Sequence, residues 1–215
     1  MARNTNKKIN TFVFDLDNTL YPPEVALFDQ IEIKMTRYVM EALSVGKEQA
    51  DHLRAQYWAQ YGTTLAGLMD VHGVDPGPYL HEVHDIDFSV IPPDEKLAMA
   101  IGRLDGNKFI YTNGTAEYAS KVAKARGLDG LFDGIFGVED ANFRPKPERA
   151  AFESVFDKIG LDPASSVMFE DDVRNLEAPK AMGVATVHVA PERSDHHFVD
   201  DHTDDLTAFL IERFH

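Results

Sequence analysis

Five short apolar runs constrain this chain more than any other feature: Thr11 to Phe14, Phe109 to Thr112, Gly134 to Val138, Val167 to Phe169 and Val184 to Val189. Each has the length of a strand, and runs that are apolar throughout suit strands covered on both faces. The later runs alternate with helical patterns. Ala151, Phe152, Val155, Phe156 and Ile159 share one helical face, and Gly160 stands where a helix would stop. Val122, Ala123 and Ala125, followed by Gly127, repeat the pattern for a segment starting at Glu117. Repeated strand–helix–strand units require parallel pairing through right-handed crossovers. The expected fold class is therefore α/β, with a doubly wound parallel sheet.

The alternation is interrupted once. From Tyr21 to Pro92 there is no strand pattern, only helical ones. Phe28, Ile31, Met35, Tyr38, Val39 and Ala42 form an amphipathic face. A second helix is expected over Glu48 to Tyr61, with shorter ones around Leu65 to Val71 and Tyr79 to His84, and with Pro76, Pro78, Pro92 and Pro93 as punctuation. The expectation is a core made of residues 1–20 and 93–215, interrupted by an all-helical insertion at 21–92 that could serve as a lid.

Charge narrows the partners. With 36 acidic and 21 basic side chains the formal net charge is −15, which disfavours a polymeric nucleic acid. A small anion can still bind where something local reverses the sign, and a bound divalent cation does that. Cysteine is absent, so disulfides, thiolate zinc sites and thiol nucleophiles are excluded. No apolar run approaches the roughly 20 residues of a membrane helix. Met1 to Lys8 is basic with no apolar segment behind it, so no signal peptide is read and a cytoplasmic setting is expected.

The chemistry-bearing residues sit where strands end. Asp15 and Asp17 follow the first strand, Thr112-Asn113-Gly114 the second, and Glu170-Asp171-Asp172 the fourth. Ligands of open parallel sheets bind at the carboxyl ends of the strands, so these clusters are expected to converge on one crevice. Asp15 and Asp17 are one residue apart and can reach the same side of a strand end. Two close carboxylates repel, and Mg²⁺ with its oxygen ligands resolves that conflict. An ionised Asp15 is a competent nucleophile, and attack on phosphorus would give an aspartyl-phosphate. A bare D-x-D is otherwise a turn or a helix cap; the strand before it and the clusters after it favour the chemical reading. Asp171 is the third expected protein ligand. Glu170 and Asp172 are left three roles: a ligand through water, a partner to the ligands, or the cap of a helix from Arg174. Thr112 and Asn113 offer a hydroxyl and an amide beside a helix start, a phosphate cradle. Lys146, between Pro145 and Pro147, could offset the charge of Asp15 and phosphate. His188, His196, His197 and His202 with neighbouring Asp195, Asp200 and Asp201 lack regular ligand spacing, and the reading preferred for them is a surface loop rather than a zinc site.

Taken together, Asp15-Leu16-Asp17-Asn18-Thr19, Thr112-Asn113, Lys146 and Glu170-Asp171-Asp172 resemble, in order, the four motifs of the haloacid dehalogenase superfamily of phosphohydrolases. The resemblance implies Asp15 as nucleophile and Asp17 as general acid and base. It implies Mg²⁺ held by Asp15, Asp171 and the backbone carbonyl of Asp17, and phosphate bound by Thr112 and Lys146, with Lys146 also orienting Asp15. Dehalogenases of the family lack the second Asp, so Asp17 points to a phosphatase. Within the superfamily the stretches Leu20-Tyr21-Pro22, Tyr61-Gly62-Thr63-Thr64-Leu65 and Val83-His84-Asp85-Ile86-Asp87 resemble pyrimidine 5′-nucleotidases. They imply a pyrimidine nucleoside 5′-monophosphate as substrate, with Tyr21, Thr63, Thr64 and Asp85 as candidates to read base or sugar. A phosphatase for a phosphosugar or phosphoglycolate is the alternative. A receiver-like phosphate acceptor and an interaction protein with a disabled site are the rivals outside that class.

Overall fold

The computed structural model describes residues 8–215; residues 1–7, most of the stretch read for a leader, lie outside the described residues. The strands are β1 (Thr11–Phe14), β2 (Asn107–Tyr111), β3 (Gly134–Phe136), β4 (Ser166–Glu170), β5 (Ala185–Val189) and β6 (Asp201–Thr203). They form one sheet in the order β3-β2-β1-β4-β5-β6, and every neighbouring pair is parallel. Successive crossovers run one way from β1 to β3 and the other way from β4 to β6. The crevice where the order reverses lies at the carboxyl ends of the central strands.

Side-chain alternation explains the two covered faces. Phe12 and Phe14 point into one core with the buried apolar residues of α5 (Glu95–Gly102), α6 (Ala116–Ala125) and α9 (Leu206–Phe214). Val13, Tyr111 and Met168 point into the other, with α7 (Arg149–Ile159) and residues flanking α8 (Glu177–Met182). Phe14 stacks on Phe169 with centroids 4.8 Å apart and planes 9° apart, and Phe12 meets Phe214 edge-on. Central strands buried on both faces read as continuous apolar runs, as β1 does.

The interruption after β1 is helical throughout: α1 (Leu27–Leu43), α2 (Lys47–Tyr61), α3 (Thr64–His72) and α4 (Pro76–Val83). α1 packs against α2 and α4, and α2 against α3. Their limits follow from capping. Thr63 accepts from Ala66 N–H to open α3, and Asp75 accepts from Gly77 N–H to open α4, with Pro76 in its first turn. After Pro92 and Pro93, α5 returns to the sheet and packs on α9.

Several limits differ from expectation. β2 begins two residues earlier, at the polar Asn107 and Lys108, and β3 stops at Phe136. α5, β6 and α9 fall outside every element that the sequence pattern predicts. β6 is Asp-His-Thr at the sheet edge, too short and polar to show a pattern. The helix expected from Arg174 starts as a 3₁₀ turn, Val173–Leu176, capped by Asp172, and continues as α8. Among the described residues, no helix is long and apolar enough to cross a membrane.

Candidate active site

The parallel register aligns the strand ends. Phe14 pairs with Ile110 on one side and Phe169 on the other, so the residues just beyond leave the sheet together. Asp15 N–H still donates to Phe169 O, and Thr112 N–H to Phe136 O, which carries the ladder one step into the site. Leu16 O then accepts from Thr19 and Leu20 N–H, making a helical turn, and Asn18 takes a left-handed φ of 59°, which Asn tolerates. That turn brings Thr19 Oγ1 within 3.1 Å of Asp15 Oδ2, to which it donates.

Lys146 is the hub. Its side chain is 1% exposed, and its Nζ donates to Asp15 Oδ1 at 2.6 Å, Glu170 Oε2 at 2.6 Å and Tyr111 O at 3.1 Å. An ammonium has three donors, so all three are engaged. Burial works to lower the pKa of Lys146, but Asp15 and Glu170 outweigh it and hold the ammonium charged well above its usual range. Asn113 fixes the lysine from outside. Its amide donates to Lys146 O at 3.1 Å, and its carbonyl accepts from Lys146 N–H at 2.8 Å. Thr112, fully buried, accepts from Gly114 N–H at 2.9 Å through Oγ1.

The acids outnumber that single cation. Carboxylate oxygens of Asp15, Glu170 and Asp171 lie within 4.8 Å of one another. Burial and the proximity of Asp15 raise the pKa of Asp171 to about 7, and the same causes push Glu170 well above the carboxylate range. Buried hard-oxygen ligands whose protons are held up by mutual repulsion fit a divalent cation such as Mg²⁺. Glu170 joins this triad, a place the sequence left open. Asp172 does not: it caps the following turn and pairs with Arg174 at 2.6 Å. The Asp17 carboxylate is not in the triad either. Its Oδ1 accepts from Tyr21 and Tyr118 hydroxyls, each at 2.5 Å, and burial followed by the charge of Asp15 raises its pKa to about 6.

Above this floor lies a cavity of about 670 Å³, within the range of small-molecule sites. Asp15, Asp17, Thr112, Lys146 and Asp171 line its floor, and Phe28, Ile31, Trp58, Tyr79 and Val83 of the insertion line its walls. The insertion touches the core beside the cavity. Arg174 lies 3.5 Å above the Trp58 ring, and His84 stacks on Tyr118 at 4.3 Å. Gly62 closes α2 with φ of 85°, and a side chain there would press on Lys146 O and Pro147.

Every expected floor residue, Asp15, Asp17, Thr112, Asn113, Lys146 and Asp171, is thus gathered around one cavity. The candidates for reading the substrate divide. Thr63 and Thr64 line the cavity. Tyr21 is 1% exposed and holds Asp17, and Asp85 is an exposed partner of Lys34; neither lines the cavity. Thr19 stands in the first motif without a role assigned to it, and Tyr118 stands in none; a single hydroxyl in a turn or first helical turn does not announce which carboxylate it reaches. Of the histidines, His188 is buried in β5 against Asp171 O at 2.9 Å, His202 is in β6, and His196 stacks on Phe198.

The chain resembles known proteins along most of its length. Phosphate metabolism protein 8 of Saccharomyces cerevisiae is 25% identical over 192 residues, 82% of this chain and 60% of that protein. Enolase-phosphatase E1 of Bradyrhizobium sp. is 30% identical over 129 residues, 58% of this chain and 51% of that protein. The chain therefore spans between half and two thirds of these relatives. Among solved structures, a HAD phosphatase from Thermococcus onnurineus superposes with a TM-score of 0.63 at 18% identity, over 95% of this chain and 97% of that one. A magnesium-bound HAD-hydrolase, YfnB from Bacillus subtilis, gives 0.62 at 18% identity, over 97% and 100%. These superpositions establish the shared fold. The model of the haloacid dehalogenase-like hydrolases matches residues 9–183, from just before β1 to just past α8 and across every residue of the pocket floor; the chain belongs to that family.

Proposed function

We propose that this protein is a Mg²⁺-dependent phosphomonoesterase working through an aspartyl-phosphate on Asp15. The observation that carries the reading is the floor of the cavity: one buried lysine bridging Asp15 and Glu170, with Asp171 beside them and Asp17 poised separately. The names of both curated relatives quoted above, one of phosphate metabolism and one a phosphatase, agree with it.

Asp15, Glu170, Asp171 and the backbone carbonyl of Asp17 are the groups that would hold Mg²⁺. Once bound, the ion supplies the positive charge that a dianionic phosphate needs beside three acids. The remaining steps belong to the chain. Lys146 and Thr19 hold the two oxygens of Asp15, so the nucleophile is fixed before substrate arrives. A carboxylate oxygen of Asp15 attacks phosphorus, the ester oxygen departs, and Asp17 gives that oxygen its proton. Asp17 then takes a proton from water, whose oxygen attacks the phosphorus and frees Asp15. Its pKa of about 6 suits a group that must give and then take a proton near neutrality. We assign phosphate binding to Thr112, which lines the cavity. Asn113 holds the Lys146 segment, and a phosphate contact by Lys146 itself requires one of its three bonds to be exchanged.

The lid is proposed as residues 21–92 and the catalytic core as 1–20 and 93–215. The substrate is a small phosphorylated metabolite, for which we favour a pyrimidine nucleoside 5′-monophosphate because the aromatic and apolar wall could hold a planar base. A phosphosugar or phosphoglycolate is the alternative. A cytoplasmic setting suits a chain without cysteine. The enclosing insertion disfavours a receiver, and the intact acids disfavour a disabled site. The test is phosphate release over nucleoside monophosphates and sugar phosphates with Mg²⁺, with EDTA and Asp15→Asn as controls. Multiple turnovers that EDTA and Asp15→Asn both abolish support the reading. Preference for sugar phosphates leaves a phosphatase but removes the nucleotidase. Activity that ignores chelation contradicts the metal assignment.

A further inference from the structure

We infer that Tyr118 and Tyr21 are positioning residues that aim Asp17 at the leaving oxygen, and that the helical insertion takes part in this aim through the stack of His84 on Tyr118. The inference rests on the phosphatase reading above and adds a device to it.

The geometry is specific. Two phenol hydroxyls donate to the same oxygen of one carboxylate, each at 2.5 Å. They come from different elements: Tyr21 follows the β1 turn, and Tyr118 stands in the first turn of α6. Among the described residues, no hydrogen bond engages the other oxygen, Oδ2, although Asp17 lines the cavity. One oxygen is anchored and the other is left for proton transfer. A carboxylate has a nearly free torsion about its last bond. Two donors on one oxygen remove that freedom and fix which oxygen faces the substrate.

Both tyrosines are themselves fixed. Each is 1% exposed. The Tyr118 ring lies nearly parallel to His84, 4.3 Å away with planes 10° apart, and Phe88 packs against it from the same segment. Gly114 borders this stacked pair so closely that an added Cβ would sit 2.8 Å from the Tyr118 ring and 3.4 Å from His84 Nε2. The ring is therefore held by contacts with both the phosphate-side loop and the insertion. Burial and the neighbouring Asp17 hold both phenols protonated, so they remain donors throughout the working range. If these hydroxyls merely sought any acceptor, no reason would exist for both to converge on one oxygen of the proposed acid.

The experiment separates leaving groups. A p-nitrophenolate departs without a proton, whereas an alkoxide needs one, so only the alkyl ester depends on a well-aimed acid. kcat/KM is measured with p-nitrophenyl phosphate and with the best alkyl ester among nucleoside monophosphates and sugar phosphates, for wild type, Tyr118→Phe, Tyr21→Phe, Asp17→Asn and Tyr118→Phe/Asp17→Asn. Tyr118→Phe keeps the ring and the stack and loses only the hydroxyl. The expected result is a loss on the alkyl ester about tenfold greater than on p-nitrophenyl phosphate, with the same signature in Tyr21→Phe. In the Asp17→Asn background, Tyr118→Phe adds no further discrimination, because it acts through that carboxylate. His84→Ala shows a weaker form of the same signature. Equal losses on both substrates, or an undiminished effect in the Asp17→Asn background, overturn the inference. A His84→Ala variant whose two esters keep the wild-type ratio of kcat/KM overturns the part assigned to the insertion. Absence of phosphate release by the wild type removes the phosphatase reading and the inference with it, which is a different outcome from an active enzyme whose variants fail to discriminate.

Discussion

At the scale of single residues, the site is a problem of charge. Three carboxylates crowd around one ammonium, and each lies in or next to a region that water barely reaches. Breaking such a buried pair by removing one partner leaves charge uncompensated, which costs about 3–5 kcal/mol. Lys146→Ala is therefore expected to abolish turnover and to lower stability by about that amount, read by urea denaturation. Asp15→Asn is different. It leaves Lys146 paired with Glu170 and removes one of three mutually repelling acids. Its turnover should fall by about 10³-fold or more while its melting temperature stays close to wild type. An Asp15→Asn variant with wild-type-like rate would remove Asp15 from its role. The residues legible at this scale were those carrying charge in a fixed order at strand ends. Thr19 and Tyr118 were not legible, because what makes them matter is the distance from their hydroxyls to Asp15 and Asp17, and no local pattern encodes that.

At the scale of elements, the sequence reads well where burial is two-sided and poorly where it is not. β1, β4 and β5 are covered on both faces and appear as apolar runs; β6 is a polar edge strand and does not. α7 was visible through its apolar face, whereas α5 and α9 are short and each needs the other to complete its packing. The same contrast predicts two unlike variants. Phe169 stacks on Phe14 and meets Phe209 edge-on in the middle of the sheet, so Phe169→Ala should cost about 3–5 kcal/mol. Trp58 is half exposed and carries the Arg174 guanidinium on its face. Trp58→Ala should change stability by no more than about 1 kcal/mol yet raise KM, because it loosens the insertion over the cavity. Denaturation curves beside steady-state kinetics decide both; an unchanged KM would mean that this contact does not shape the site.

At the scale of the whole molecule, fold and charge act together. The −15 net charge would repel a phosphate ester everywhere except where a cation concentrates positive potential. Burial and then Asp15 raise Asp17 to about 6 and Asp171 to about 7. Both values lie above those of an unfolded carboxyl, so the stability linked to them is complete below about pH 4 and is lost as pH rises through 6 to 7. Mg²⁺ binds the deprotonated carboxylates and should oppose that loss. The gain in melting temperature on adding Mg²⁺ is thus expected to be larger at about pH 8 than at about pH 5, and to vanish in Asp171→Asn. An equal gain at both pH values would argue that the cation binds elsewhere.

The identity of the attacking atom is open to direct observation. Asp17→Asn should slow removal of phosphate from the enzyme while still accepting it from p-nitrophenyl phosphate, which needs no proton on departure. After mixing with that ester and Mg²⁺ and quenching in acid, mass spectrometry of the digested protein should find one phosphate on the peptide containing Asp15, and none when Asp15→Asn is added. Phosphate on a different side chain, or steady release of phosphate with no enzyme-bound species and full activity in Asp15→Asn, would contradict the account.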